Sequence, residues 1–400
     1  MREIYLDNSA TTRPLDEVRE IVSRMMESDY GNPSSMHQKG VDAEAAVRAA
    51  KEQIARALGF ELRMKPYDRE ILFTSCGTES DNLAIIGTAM AYKRSGSHII
   101  TTQVEHPAVL QTMEYLKEQG FRVTYLPVDA YGRVLAKEVR EALCEDTILV
   151  SIMAVNNEVG AMMPIAEIGA MLKKERPDII FHVDAVQGFT KMDLLPKKMG
   201  IDLMSISGHK IHGPKGIAVL YVDDRVKLKP ILFGGGQQQG LRSGTENVPG
   251  IAGIGLAAKM LSETKREDIE RLYELKEFFV NGLREIPGIK VHGIPTDNDN
   301  EPDIRVTAPH IVSAGFTGIS KAEVLLHALE EMGIYVSSGS ACASNKPAVS
   351  ATLKAMGIQK EYLEATLRFS FSVQTTKKDL EDTLKALQTM YPLLSRFSRR

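Results

Sequence analysis

The stretch EILFTSCGTESDNLAIIGTAMAYKRSGSHIITT, residues 70–102, reads as strand, helix and strand in succession. Its first apolar run ends at Ser75, Gly77 permits a tight turn, the residues from Ser80 to Gly96 form an amphipathic segment, and His98–Thr102 is a second β-branched run. The alternation continues through PAVLQTMEYLKEQG, FRVTYLPV, TILVSIMAV, IGAMLKKE and IIFHVDA. Strands separated by helices in this way argue for a largely parallel sheet covered on both faces, an α/β layer fold.

Near Asn247 the apolar segment PGIAGIGLAAKML leads into the charged helical stretch SETKREDIERLYELKEFFVNGLREI, which places a boundary near residue 260. Beyond it, HIVSAGF, the helix KAEVLLHALEEMG, the strand-like IYVSS and TLRFSFS, and a closing helix suit a smaller α+β unit. The first dozen or so residues could pack on either unit. The expected division is a large domain over residues 15–260 and a small one over residues 1–14 and 261–400.

Four hundred residues with 43% hydrophobic and 25% charged side chains suffice for more than one core. The net charge of −3, without a long basic tract, argues against nucleic acid as a partner. No window approaches the roughly 18 apolar residues of a membrane span, and the N-terminus lacks a leader pattern, so a cytoplasmic location without membrane attachment is expected. The three cysteines, Cys76, Cys144 and Cys342, form no CxxC pair and no metal-ligand spacing, and no metal site is expected. Cys144, in KEVREALCED, reads as a small core hydrophobe.

Polar groups follow several of the strands. Lys210 lies just past IDLMSIS, so its ammonium is expected at the C-terminal edge of the sheet, where α/β enzymes keep their chemistry. Asp184 closes the strand IIFHVD, and a carboxylate at that depth needs a cation or hydrogen-bond donors. In FTSCGTESDN, Thr78 with Asp81 three residues on resembles a helix cap of the Ser/Thr-x-x-acid type, and the helix start would favour an anion such as phosphate. His106, before Pro107, suits either a helix cap or a catalyst, and Asn156, Asn157 and Glu158 suit either a turn or a site. If these strand ends share one sheet edge, convergence on one pocket is the better reading.

FTSCGTESDN, EHPAV, NNEVG, HVDAVQ, SGHKIHGPKG, GGGQQQGLRSGTEN and SSGSACAS, in this order, closely resemble the cysteine desulfurases, in the class V aminotransferase branch of the fold-type I pyridoxal-phosphate enzymes. The resemblance runs from YLDNSATT at residue 5 to LRFSFS at residue 372. It implies a large domain with a mostly parallel seven-stranded sheet plus a smaller α+β domain. By similarity, Lys210 forms the Schiff base with pyridoxal 5′-phosphate, Asp184 pairs with the pyridinium nitrogen, and His106 stacks on the ring and shuttles protons. Gln187 and Asn157 are implied near the ring oxygen, and Gly77, Thr78, Ser207 and His209 around the phosphate. Thr245 is implied to reach the phosphate of the neighbouring subunit in a homodimer, and Arg368 to hold the substrate carboxylate through a bidentate fork, with Asn157 also facing substrate.

The resemblance further implies that L-cysteine is converted to L-alanine, with its sulfur passed to Cys342 as a persulfide and then to a protein acceptor or cluster scaffold. Cys342 lies among small polar residues with Gly339 and Pro347, a pattern that suits a mobile loop, and SSGSAC is similar to the long-loop group associated with iron–sulfur cluster assembly. Gln238 stands where a glutamate is common in the family, and Cys76, beside the phosphate motif, reads as a small structural residue on the turn. Three alternatives are weaker. Another class V aminotransferase or lyase would not need Cys342, a non-catalytic scaffold would not need Lys210 and Asp184, and a metal hydrolase built on His106, His182, His209 and His212 lacks ligand spacing.

Overall fold

A computed structural model describes residues 2–62, 67–295, 302–338 and 349–397. The short strand β1 (Ile4–Tyr5) precedes two long helices, Asp16–Glu27 and Gln38–Ala57. Seven strands then build one sheet: β2 (Ile71–Thr74), β3 (His98–Thr102), β4 (Arg122–Leu126), β5 (Thr147–Met153), β6 (Ile180–Asp184), β7 (Leu203–Ser207) and β8 (Ala218–Val222). Their spatial order is β2-β8-β7-β6-β5-β3-β4, and all neighbours are parallel except β8, which runs antiparallel to β2 and β7. The mostly parallel seven-stranded sheet expected from the sequence is therefore present. Six of these strands are buried at every residue, as a sheet covered on both faces requires, whereas the edge strand β4 exposes Arg122.

Alternation along each strand divides the apolar residues between two layers. Leu72, Ile99, Leu149 and Leu203 join Leu83 and Ile85 of the helix Gly77–Tyr92 and Val109 and Met113 of the helix Pro107–Glu118. Phe73, Ile100, Val150 and Met204 belong to the opposite layer, with the helices Gln38–Ala57 and Val248–Glu263. Those two helices approach closely at Gly255, where a Cβ would fall 2.7 Å from the Ala50 Cα.

A second apolar cluster surrounds β9 (Ile289–His292), β10 (Ile311–Phe316), β11 (Ile334–Tyr335) and β12 (Thr366–Ser370). β10 lies between β9 and β12, antiparallel to both, and the helices Lys265–Arg284, Ala322–Glu330 and Lys377–Phe397 supply the rest of the unit. The sequence left the first residues open to either unit. Ile4 and Leu6 belong to this second cluster, because β1 pairs in parallel with β11 and Asp7 bridges Ser370. Residues 5–12 thus leave the small sheet and run to the edge of the large one, which positions the site described next.

Candidate active site

The parallel strands β2, β3, β5, β6 and β7 end on the same edge of the sheet, and the segments after them converge on a cavity of about 220 Å³. Gly77, Thr78, His106, Asn157, Asp184, Gln187, Ser207, His209, Lys210 and Arg368 all line it, so ten of the residues singled out in the sequence come together. Ser9, Ala10, Cys76 and Asp81 line it as well.

Lys210 sits on the tight turn Gly208–Lys210 after β7. A Cβ at Gly208 would lie 2.9 Å from the Pro214 carbonyl oxygen and 3.0 Å from that of Ile217, so the turn under the lysine requires glycine. The Lys210 ammonium donates to the carbonyl oxygens of Ser9 (2.6 Å) and Ala10 (2.8 Å). Thr12 in turn donates from its backbone N–H and its hydroxyl to the His209 carbonyl, so the N-terminal segment holds the lysine turn from two sides. Behind it, Lys191 Nζ donates to the Lys210 carbonyl oxygen (2.9 Å), and burial together with Lys210 lowers the Lys191 ammonium to about 7.

Asp184 is buried at the end of β6 and accepts from the backbone N–H of Val186 (2.9 Å). Burial raises its pKa, while His106 and Lys210 oppose the rise. A desolvated carboxylate of this kind gains most from a cationic partner in the cavity. Two further carboxylates lie close to it. Glu105, enclosed beside Thr102 and Met153, is pushed up to about 8 by burial, and Asp81 is raised well above its ordinary range by burial and the neighbouring Asp184. Asp81 Oδ1 lies 3.6 Å from His182 Nε2, while burial drives His182 down to about 3. At neutral pH Glu105 therefore keeps its proton, while burial raises both Asp81 and Asp184. Of the two roles left open for His106, the structure shows the helix cap and places the ring on the cavity wall. Its Nδ1 accepts from the Ala108 N–H (3.1 Å) as the helix cap, the ring lines the cavity, and burial lowers its pKa.

The anion end differs from expectation in its capping. β2 ends at Thr74, the helix starts at Gly77 with Cys76 as its N-cap residue, and no side chain caps it. The Thr78–Asp81 cap does not form, because Asp81 is buried inward. Glu79 instead accepts from the Ser75 N–H (2.7 Å) and hydroxyl (2.5 Å), held by Arg242 (2.8 Å). Opposite this start, the buried Ser207 hydroxyl has no hydrogen-bond partner among the described residues. Uncapped N–H groups, a helix dipole and an orphaned hydroxyl facing one cavity fit a phosphate. His209 shares this end, and burial with Lys210, Lys215 and Lys191 brings it down to about 4, so it is a neutral donor at physiological pH. Cys76 is not merely a small turn residue, since it is exposed and lines the cavity.

At the other end, Arg368 on β12 is buried, and its guanidinium donates to the Asn157 carbonyl (2.8 Å) and to Asp7 (2.8 Å). Asn156 is spent on the turn, donating to the Val104 carbonyl and accepting from the N–H groups of Glu158 and Val159. Gln187 is more occupied than the resemblance implies, because its amide donates to the Ser9 carbonyl (2.9 Å) and its oxygen faces His310 (3.3 Å).

Thr245 lies outside this cavity on the exposed segment after Gly244, and Cys342 lies outside the described residues. Cys144 is no plain core hydrophobe. It is half-buried at the opposite edge of the sheet, with its Sγ 2.9 Å from His98 Nδ1 and 3.3 Å from an Arg122 nitrogen. His182 is engaged by Ser151 and Ser205 and His212 by the Arg13 carbonyl, so the four histidines of the hydrolase alternative do not converge. Gln238 accepts from the Phe73 N–H (2.9 Å) and donates to Glu246, and a glutamate could not make the second contact. Sequence reasoning missed Asp7, Ser9, Ala10 and Asp81. The first three lie in YLDNSATT, where the resemblance begins, and the spacing of Asp81 from Thr78 points only to a cap.

The chain belongs to the class-V aminotransferase family, whose model matches residues 4–383. It is 42% identical over 397 residues to the cysteine desulfurase IscS of Methanosarcina thermophila, covering 99% of this chain and 94% of that protein. It is 44% identical over 402 residues to the putative cysteine desulfurase IscS 1 of Bacillus subtilis, covering 97% of this chain and all of that protein. Among solved structures, a NifS-like protein superposes with a TM-score of 0.89 at 36% identity over 98% of this chain and 100% of that one. SspA in complex with cysteine does so with a TM-score of 0.78 at 33% identity over 94% of this chain and 100% of that one. Within the class, the chain is a member of the cysteine desulfurase family of enzymes.

Proposed function

We propose that this chain converts L-cysteine to L-alanine with pyridoxal 5′-phosphate held in the cavity, and that Cys342 takes the sulfur as a persulfide for delivery to a protein acceptor or a cluster scaffold. One observation carries the reading: an amine (Lys210), a buried carboxylate (Asp184), an uncapped helix start with an orphaned hydroxyl (Ser207) and a buried arginine (Arg368) face a single cavity. These groups match the aldehyde, ring nitrogen and phosphate of the cofactor and the carboxylate of an amino acid. When bound, the cofactor supplies an electron sink for bond changes at the substrate's Cα and Cβ.

The residues divide the remaining work. Lys210 would hold the cofactor through its amine and, when that amine is free, would move the proton at the substrate Cα. Asp184 keeps a proton on the ring nitrogen, and that cation offsets the cost of burying the carboxylate. His106, its Nδ1 already used by the helix cap, presents the ring face and Nε2. Gly77, Thr78, Ser207 and His209 hold the phosphate, Gln187 and Asn157 flank the ring oxygen, and Arg368 with Asn157 orients the substrate. The Cys342 thiolate attacks the substrate Sγ. A sulfur–sulfur bond forms as Cβ–Sγ breaks, the electron pair passes to the carbon skeleton, and a proton taken up there gives alanine.

Thr245 serves the site of a partner subunit in a homodimer, in keeping with its exposure and its position outside its own chain's cavity. A cytoplasmic location suits the family, and among the described residues no helix is long and apolar enough to cross a membrane. Incubating the purified protein with L-cysteine and a thiol reductant, and measuring alanine and sulfide together, tests the function. Equimolar products are expected. Sulfide accompanied by a keto acid in place of alanine would indicate a lyase and defeat the proposal.

A further inference from the structure

We infer that Asp7 is the positioning residue of the substrate-binding arginine and sets the affinity of the site for amino-acid carboxylates. The inference rests on the reading of Arg368 as the group that holds the substrate carboxylate. The Arg368 side chain is 2% exposed, and a guanidinium at that depth is tolerated only when paired and hydrogen-bonded. Two acceptors meet it from different directions: Asp7 Oδ1 at one terminal nitrogen (2.8 Å) and the Asn157 carbonyl at the other (2.8 Å). The third nitrogen, Nε, is buried with no hydrogen-bond partner among the described residues. A guanidinium has five N–H donors, so Asp7 and Asn157 fix its plane while the others remain for a ligand.

The mounting of Asp7 explains why it can act as a reference point. Asp7 bridges Ser370, two residues from Arg368 on β12. Its neighbours add hydrogen bonds from the Asn8 side chain to the Ser370 carbonyl (2.9 Å) and from the Ser9 N–H to the Ser370 hydroxyl (2.8 Å). Asp7 is therefore tied to the strand that carries its partner. The same segment supplies the Ser9 and Ala10 carbonyls that meet Lys210. One short stretch thus holds the carboxylate-binding group and the amine together in a single frame. The Asp7 side chain is 21% exposed, against 2% for its partner Arg368.

Without Asp7 the guanidinium loses a fixed charge partner and its plane is no longer held, so carboxylates bind less well. Once a carboxylate is seated, the reacting atoms lie as in the parent, so turnover at saturation changes little. The test measures KM and kcat for L-cysteine and inhibition by L-alanine in Asp7→Ala, Asp7→Asn and Arg368→Lys, with cofactor content and melting temperature as controls. For Asp7→Ala, KM and the alanine inhibition constant should rise about tenfold or more, as loss of one charge-assisted bond implies, with kcat within about threefold and normal cofactor content. Asp7→Asn keeps an acceptor and should recover part of the loss. If Asp7→Ala does not fold, a KM rise of about threefold or more in Asp7→Asn is required. An unchanged or lower KM in the Asp7 variants, with a raised KM in Arg368→Lys, overturns the inference. An unchanged KM in Arg368→Lys defeats the reading of Arg368 itself, and the inference with it.

Discussion

Lys210 and Ser9 are joined by a hydrogen bond of 2.6 Å between residues 201 positions apart in sequence, so the amine that defines the site is held by the first residues of the chain.

Lys210→Ala should abolish alanine and sulfide formation. It should also remove the cofactor from the peptide that retains it after borohydride reduction. Loss of the ammonium leaves the Ser9 and Ala10 carbonyls short of a donor, so a stability loss of about 1–3 kcal/mol is expected in a protein that still folds. The measurement is mass mapping of reduced parent and variant. Cofactor recovered on the same peptide of the variant would rule out Lys210 as the attachment point.

Asp184→Ala should fold, retain cofactor poorly and turn over at least about a hundredfold more slowly, since one charge-assisted bond alone accounts for roughly 1.5–3 kcal/mol. Removing this carboxylate also relieves the neighbouring Asp81, whose pKa it raises. Dialysis followed by cofactor quantitation, with parallel rate measurements, checks both parts. Near-parent rate and retention would show that the buried carboxylate has a purely structural task.

Cys342→Ser should leave cofactor content and the melting temperature close to those of the parent while sulfide release collapses, because a hydroxyl cannot store a persulfide. Cys76 makes the test sharper, since it is an exposed thiol on the cavity wall. Mass spectrometry after cysteine and before reductant should place one added sulfur on the Cys342 peptide and none on those of Cys76 or Cys144. Sulfur found on Cys76 would reassign the acceptor.

Lys276 gives a pH prediction away from the site. It is fully buried, donates to the Thr307 hydroxyl (2.5 Å) and the Ala308 carbonyl (2.7 Å), and burial lowers its pKa from 10.5 to about 7. Between those values the unfolded chain binds more protons than the folded one, so this group adds stability as pH rises. The melting temperature of the parent relative to Lys276→Met should therefore increase from pH 7 to pH 10. A difference that stays constant over that range would mean that Lys276 is charged in the fold.

The parts of the site that end a strand were legible because a polar residue closing an apolar run has one place to go. Lys210, Asp184, Asn157 and His106 follow strands this way, and their convergence required only that those strands be parallel neighbours. The anion end was legible in kind but not in detail. Thr78 and Asp81 have cap spacing, yet burial turns Asp81 inward, Glu79 reaches back to Ser75, and the helix start is left without a side-chain cap. Asp7, Ser9 and Ala10 carry no local pattern, because their partners Arg368, Gln187 and Lys210 are set by the pairing of β1 with β11. Cys144 was misread because the helix-like stretch KEVREALCED is silent about the polar neighbours His98 and Arg122, which arrive from the starts of β3 and β4.

The pairing of β1 with β11 also has a consequence for the order of events at the ribosome. Residues 4–12 are among the first to be made, but Tyr335 and Ser370, which hold them, are among the last. At the usual pace of synthesis the opening segment waits on the order of tens of seconds for its partners, while the seven-stranded sheet is complete once Val222 has emerged. The carbonyls that meet Lys210 therefore lock into place last, and a chain released early holds a finished sheet whose lysine has no frame to work in.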